Sequence, residues 1–246
     1  MNDTLKLLHT HHSTRSYTDV PVSDEMLDQI VRAAWHGPTS MNAQEVSLVV
    51  TRDAATRARI AELAGGQAWI AQAPVFITLV IDFNKTEQGV RKAGQTQVIH
   101  ESMEGYGVAA VDVGITLANL MTAARSLGLG VVPIGGIRRN PQAMIDLLQL
   151  PLLTFPQVGL CIGHIDKDAP LKPRMDIATF RHDERYDDSA YQAAINTYDQ
   201  TIMNYWQQLG RNDGMTWSQN LGNNLKQVYF PQVKPIAAMQ GLLNDK

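Results

Sequence analysis

Side chains that suit a phosphate-bearing, ring-containing ligand are scattered along this sequence of 246 residues. Arginine and lysine bind phosphate groups, hydroxyls and amides bind a polyol, and glycine lets backbone N–H groups approach a ring. The candidate set is His11, Ser13 and Arg15; Thr39, Ser40, Asn42 and Gln44; Gly66 and Gln67; Gly135 and Gly136; and Lys172 with Arg174. Together these residues suit a ligand that combines a phosphate, a polyol and a ring, and FMN is such a ligand.

Each member of this set also has an ordinary interpretation when it is taken singly. Arg15 and Lys172 fit solvated surface charges, since most lysines and arginines are exposed. Gly135 and Gly136 fit a tight turn, and Gln67 fits a polar surface position. Only their combination indicates a ligand site.

Other kinds of chemistry lack the residues they need. The seven histidines are not at metal-ligand spacing, so no metal site is expected. The sequence has no Walker A motif, no GxGxxG fingerprint and no serine-nucleophile elbow. Cys161 lies in an apolar segment, which predicts an inert core thiol.

Composition limits the location and the partners of the protein. Apolar residues make up 44% of the chain and the net charge is −3, which favours a folded core and gives no indication of a nucleic-acid or anionic-membrane partner. The longest apolar stretch, residues 73–81, is too short to cross a bilayer, and the N-terminus lacks the pattern of a signal peptide. A single cysteine excludes an internal disulfide, and a cytoplasmic location is expected.

Hydrophobic periodicity and turn residues predict the elements that must position the candidate residues. Ser23 is expected to cap a helix that ends at Gly37, and Asn140 to cap a helix with Pro141 in its first turn. The other expected helices cover residues 4–12, 54–64, 108–127, 190–209 and 218–228. Strands are expected over residues 45–51, 75–81, 130–134 and 157–163, and residues 85–106 are assigned only helix fragments.

This order of elements predicts an α+β fold with two parts. Residues 1–185 form the main domain, and residues 186–246 form a helical arm in which aliphatic runs become sparse and Gln, Asn, Tyr and Trp increase. The helix over residues 108–127 is apolar all round, which predicts burial. Its small side chains allow close helix packing, so we expect an obligate homodimer with the arm on the partner subunit.

The order of the motifs resembles the nitroreductase superfamily, and within it the oxygen-insensitive NADPH nitroreductase and flavin reductase group. The likeness covers nearly the whole chain. It is carried by His11-x-Ser13-x-Arg15-x-Tyr17-Thr18-Asp19 with Pro21-Val22-Ser23; Pro38-Thr39-Ser40-x-Asn42-x-Gln44; Gly65-Gly66-Gln67; Ser126-Leu127-Gly128-Leu129-Gly130 with Ile134-Gly135-Gly136; Gly159-Leu160-Cys161-Ile162-Gly163; and Leu171-Lys172-Pro173-Arg174.

The resemblance implies a mostly antiparallel sheet wrapped by helices, in an interlocked homodimer with FMN at the interface. It implies that His11, Ser13, Lys172 and Arg174 hold the phosphate and ribityl end. Arg15 and Gln67 would meet the pyrimidine edge, where Arg15 also tunes the flavin by its charge. Thr39, Ser40 and Gln44 would come from the other subunit, and Ile134, Gly135 and Gly136 would line the ring near N5.

Two positions depart from the family pattern. His12 stands where relatives usually carry an arginine that contacts FMN, and it is kept among the candidate cofactor residues. Residues 209–215 contain Arg211 as their only arginine, whereas NADPH-preferring relatives place several there. Arg211 is the expected NADPH ligand, with Lys226 or Arg185 as alternatives, and NADH is expected to serve as well.

The resemblance implies ping-pong transfer of two electrons from NAD(P)H to small-molecule acceptors such as nitroaromatics, quinones or flavins. One alternative is a flavin reductase in which nitro reduction is incidental. A second alternative is a non-catalytic flavin carrier or sensor, and a third is an α+β domain that binds no flavin.

Replacing Lys172 and Arg174 together with alanine should weaken FMN binding by more than about tenfold, because a charge-assisted hydrogen bond contributes roughly 1.5–3 kcal/mol. The two side chains lie two residues apart in a loop that Pro173 stiffens. Flavin retained through gel filtration is the measurement, and an unchanged flavin content would contradict the phosphate assignment.

Overall fold

Four antiparallel strands organise the chain in a computed structural model, which describes residues 1–244. Their order in the sheet is β1-β2-β4-β3, and every neighbouring pair is antiparallel, so the expected antiparallel sheet is confirmed. The strands are β1 (Val46–Thr51), β2 (Val75–Asp82), β3 (Leu129–Ile134) and β4 (Thr154–His164). β4 begins before the expected residue 157 because Thr154, Phe155 and Pro156 continue the pairing with β2.

Strand β2 is buried on both faces, which explains its continuous apolar sequence. Ile77 and Leu79 contribute to one hydrophobic core, while Phe76, on the opposite face, contributes to another together with Cys161. Cys161 is fully buried, and burial raises the pKa of its thiol far above the usual range. The expectation of an inert core thiol is therefore confirmed.

Helices cover both faces of this sheet. Two of them, α2 and α6, supply the first core together with α10, and three others, α3, α4 and α7, supply the second. The α-helices of the described chain are α1 (Asp3–His9), α2 (Asp24–Trp35), α3 (Ala54–Leu63), α4 (Ala68–Gln72), α5 (Phe83–Lys92), α6 (Met103–Ser126), α7 (Pro141–Leu148), α8 (Tyr191–Gln208), α9 (Trp217–Leu225) and α10 (Val233–Met239).

Side-chain caps fix where several helices begin. Ser23 accepts from the N–H of Met26 at 3.2 Å and Asn140 accepts from that of Ala143 at 3.3 Å, as expected. Asp82 caps α5 and Ser102 caps α6 in the same way. These two caps resolve most of the region that sequence patterns leave unassigned, and α6 begins five residues before the expected start.

Helix α6 is long and apolar enough, by length and composition, to cross a membrane. In this fold it contacts all four strands and α2, and its residues Ala109, Val113, Leu120 and Ala124 belong to the first core. Only 33% of its most apolar window is buried, however. The expected burial is therefore incomplete within one chain, because the sheet and α2 leave one face of the helix exposed, with Val111 62% exposed.

The chain divides into two compact units. The first contains residues 1–169 and the last segment from Phe230 onward, including α10; the second contains Pro170–Tyr229. In the second unit α8 and α9 pack through Tyr198 and Trp217, whose ring centroids are 6.2 Å apart. A capping box between Thr216 and Gln219 fixes the start of α9. That the C-terminal arm packs on a partner subunit stays a prediction.

Gly159 lies where the two inner strands are packed most tightly, since a Cβ atom there would be 2.2 Å from Cζ of Phe76. Gly159→Ala should lower the free energy of unfolding by about 1–3 kcal/mol, because the side chain overpacks the core. Denaturant unfolding is the measurement. The matched control is Gly89→Ala on α5, where a Cβ atom meets nothing within 4 Å; it should stabilise the helix by roughly 0.5–1 kcal/mol. Equal effects at both positions would contradict the packing argument.

Candidate functional site

The segment that contains Ser13 and Arg15 is fixed against the ends of β3 and β4. The N–H of Thr14 donates to the carbonyl of Val131 at 2.9 Å, and the N–H of Thr18 donates to that of His164 at 3.0 Å. The hydroxyl of Tyr17 is buried and donates to the carbonyl of Thr14 at 2.8 Å, and burial raises its pKa. The segment is therefore held in one conformation, with Arg15 exposed.

A glycine on β3 permits this close approach. A Cβ atom at Gly130 would lie 2.6 Å from the side chain of Thr14, which excludes any larger residue. Consequently the short sequence around Gly130 positions a segment that is distant from it along the chain.

Arg15, Gln67 and Gly136 are brought together from three separate parts of the sequence. The Arg15 guanidinium lies 5.5 Å from the ring centroid of Trp69, and Trp69 is in α4, whose N-cap is Gln67. The Gln67 amide donates to the carbonyl of Ala64 at 2.8 Å. A Cβ atom at Gly136 would lie 2.4 Å from that amide nitrogen, so Gly136 packs directly on Gln67.

The turn after β3 adds a second group of cations beside the glycines. Ile134 is buried and ends the strand, and a 3-10 turn, Gly135–Arg139, follows it. Arg138 donates to the carbonyl of Gln157, and its guanidinium lies 6.0 Å from the ring centroid of Phe230. This guanidinium is also next to Gly135. Positive charge is thus concentrated where β3 ends.

The side chain of His12 contacts two other residues of this chain. Its Nε2 lies 2.6 Å from Oδ1 of Asp168, and its Nδ1 lies 3.1 Å from the carbonyl oxygen of Thr10. Both ring nitrogens therefore face acceptors of this chain. His11 and Ser13, its neighbours, are half-buried on the same segment.

The loop that contains Thr39, Ser40 and Gln44 lies at the opposite edge of the sheet, because it leads into β1. Three of its residues adopt the left-handed region of φ, with Met41 at 43°, Asn42 at 58° and Gln44 at 55°. Such backbone is uncommon outside glycine and is frequent at functional sites. The N–H of Ser40 donates to Oδ2 of the buried Asp112 at 2.9 Å, which anchors the loop on α6.

A hollow of about 510 Å³ lies beside this loop. Its lining includes Trp35, Gly37, Thr39, Gln44 and Lys85. The Lys85 ammonium donates to the carbonyls of Gln44 at 2.8 Å and Val46 at 3.0 Å, which fixes the junction between the loop and β1.

In the second unit, two cations lie against one tryptophan. The Lys172 ammonium is 5.0 Å and the Arg211 guanidinium 4.6 Å from the ring centroid of Trp206. Asp213 accepts from Nε of Arg211 at 3.4 Å, and this hydrogen bond holds the pKa of Asp213 below its usual range. Lys172, Trp206, Arg211 and Asp213 together line a hollow of about 430 Å³.

Sequence patterns did not identify several of these residues. Trp69, Arg138, Trp206 and Asp112 are single residues without a motif, and their roles depend on which elements become neighbours. The tryptophan two positions after Gln67 and the arginine pair directly after Gly135-Gly136-Ile137 were the available signals.

The chain belongs to the nitroreductase family. The model of the nitroreductase family matches residues 8–164, and that of the nitroreductase family C-terminal domain matches residues 172–245. The resemblance inferred from the motifs is therefore confirmed, and so is the nitroreductase fold.

Curated and structural relatives extend over the whole chain. An FMN reductase (NAD(P)H) from Bacillus subtilis (strain 168) is 39% identical, with 100% of each chain covered. An oxygen-insensitive NADPH nitroreductase from Salmonella typhimurium is 33% identical, with 98% of each covered. The solved structure of B. megaterium NfrA2 superposes with a TM-score of 0.97 at 37% identity and covers 100% of each chain.

Proposed function

We propose that this protein is an FMN-dependent oxidoreductase that takes two electrons from NAD(P)H and passes them to nitroaromatics, quinones or free flavins. The observation that carries the proposal is the convergence of Arg15, Gln67 and Gly136 on one place. The names of the relatives above support both an FMN reductase and a nitroreductase activity.

The residues present fit a flavin ring. Gly136 leaves no room for a side chain between its backbone and Gln67, so the backbone just after β3 lies directly against the Gln67 amide. Gln67 offers an amide and Arg15 a cation, which match the oxygens and nitrogens at the edge of a pyrimidine ring. Ile134 and Gly135 would line the ring beside them, while the phosphate roles of His11, Ser13, Lys172 and Arg174 remain predictions from the resemblance.

FMN, when bound, supplies the hydride and electron chemistry. The chain supplies position and charge. Arg15, held above Trp69, stabilises negative charge at the pyrimidine edge, which favours the two-electron course. His12 makes its contacts to Asp168 and Thr10, so its contribution is to fix the segment that presents Ser13 and Arg15.

We infer that each site is shared between two copies of the chain. β1 and β3 are the two edge strands, and three strand spacings separate them by about 14 Å. Residues of the Thr39–Gln44 loop therefore lie across the sheet from Gly136 in the same chain. A second copy would bring its Thr39, Ser40 and Gln44 to the flavin.

Helix α6 offers the surface for such a dimer. Its exposed face carries Gly107, Val111, Gly114 and Ala118, at the spacing of successive helical turns, and Val111 is 62% exposed. Nothing lies within 4 Å of a Cβ atom built on Gly107 or Gly114. Small apolar residues in a row permit another helix to approach closely.

The test of the function is anaerobic reduction. The purified protein should be yellow, and NADPH or NADH should bleach it; a panel of nitroaromatic, quinone and flavin acceptors should then restore the colour with ping-pong kinetics. Colour without bleaching would identify a flavin carrier, and a colourless protein that does not take up FMN would refute the proposal. Rates across the panel distinguish a nitroreductase from a flavin reductase.

The dimer is tested by placing charge on the exposed face of α6. Gly114→Arg should produce monomers and lose FMN, because burying an unpaired charge in an interface is strongly unfavourable. Sedimentation measures the oligomeric state. The control, Gly89→Arg, makes the same change at an exposed glycine of α5 and should leave a dimer. A wild-type monomer that holds flavin would contradict the shared site.

Coenzyme choice is tested on the hollow around Trp206. Arg211→Ala should raise the KM for NADPH severalfold, since a 2′-phosphate carries about two negative charges, and should leave the KM for NADH nearly unchanged. Asp213→Asn should lower the KM for NADPH, because Asp213 both repels a phosphate and occupies Arg211. If the two coenzymes respond alike, Arg211 is not the phosphate ligand.

A further inference from the structure

Glu45 is a buried acid at the junction between the strained loop and β1. Its side chain is 3% exposed, and its Oε2 has no hydrogen-bond donor among the described residues. Asp112, on α6, is also 3% exposed and lies within hydrogen-bonding reach of Glu45. Two buried acids side by side cannot both ionise without a large cost.

The groups around Glu45 offer little compensation for a negative charge on its carboxyl group. Burial raises its pKa most, and a hydrogen bond from its own backbone lowers it; the charge and hydrogen bond of Asp112 raise it, and the charge of Lys85 lowers it. Lys85, however, directs its ammonium to the carbonyls of Gln44 and Val46. The N–H of Asp82 donates to the backbone carbonyl of Glu45 at 2.8 Å, so Asp82 places another acid nearby, and His36 lines the hollow beside Lys85.

We propose that Glu45 and Asp112 share one proton, and that this pair positions the Thr39–Gln44 loop for its contact with FMN. The proton lies between the two carboxyl groups, so the Glu45 oxygen that lacks a donor becomes the donor to Asp112. Asp112 keeps one oxygen for the N–H of Ser40 at 2.9 Å. Glu45 and Asp112 are thus positioning residues, and their link to the cofactor rests on the proposed function.

The loop needs such an anchor because its backbone is unfavourable. Met41, Asn42 and Gln44 all have positive φ, and Met41 is 92% exposed, so its side chain adds no packing within the chain. When the shared proton passes to water at high pH, the pair carries two negative charges instead of one. The carboxylates then repel each other, and this repulsion displaces Asp112 from the N–H of Ser40.

The direction of the pH effect follows from the raised pKa of Glu45. A group whose pKa is higher in the folded state contributes stability that is complete below its unfolded pKa and is lost as the pH rises through the folded pKa. Stability and FMN retention should therefore both fall as the pH rises above the usual titration range of a glutamate.

The experiment compares the holoenzyme with Glu45→Gln and Asp112→Asn from about pH 5 to about pH 9. In the wild type the dissociation constant for FMN should rise by about tenfold at the alkaline end, the equivalent of one charge-assisted hydrogen bond. Both variants keep a hydrogen bond without a shared proton. Glu45→Gln removes the buried acid itself and should show no such rise, whereas Asp112→Asn leaves Glu45 buried and should show a smaller rise than the wild type. The control is Glu104→Gln, which changes an exposed glutamate on α6, the helix that carries Asp112. This variant should follow the wild type.

Two further measurements make the outcomes distinct. Infrared spectra should show a protonated carboxyl band that Glu45→Gln removes, and thermal unfolding should show a loss of stability with rising pH that Glu45→Gln abolishes and Asp112→Asn reduces. Parallel pH profiles for the wild type and the variants in all measurements would overturn the shared proton. Altered unfolding with unaltered FMN binding would overturn the positioning role. A protein without FMN would refute the proposed function, while infrared and unfolding would still decide the carboxyl pair.

Discussion

Burial of β2 on both faces is the constraint on which the rest of the structure depends. Its alternate side chains enter two different cores, so helices must cover both sides of the sheet. Apolar burial on this scale is the dominant favourable contribution to folding. Once the two layers are in place, the strand ends, where the candidate residues lie, have fixed positions.

The candidate site is assembled at those strand ends by close backbone contacts. Gly130 admits Thr14, and Gly136 admits Gln67; in both places a single methyl group would separate the segments. Small residues therefore hold the segments of the site together by close backbone contact, whereas large side chains hold the core together by packing. The small residues bring segments that are far apart in the sequence into direct contact.

Cations in both units are held on tryptophan rings rather than by acids alone. Arg15 lies against Trp69, and Lys172 and Arg211 lie against Trp206. An aromatic face attracts a cation without cancelling its charge, so such a cation can still bind a phosphate or a ring oxygen. Asp213 beside Arg211 is the exception, because there an acid does pair with the cation.

The sequence by itself determined the family, the antiparallel sheet, most strands and the caps at Ser23 and Asn140, because these depend on motifs and on contacts within a few residues. Only the tertiary structure showed the partners of Arg15, the carboxyl pair of Glu45 and Asp112, and the place of α10 in the first core. It also showed that one face of α6 is uncovered. These features depend on which elements become neighbours in the folded chain, and the spacing of residues along the chain does not encode that.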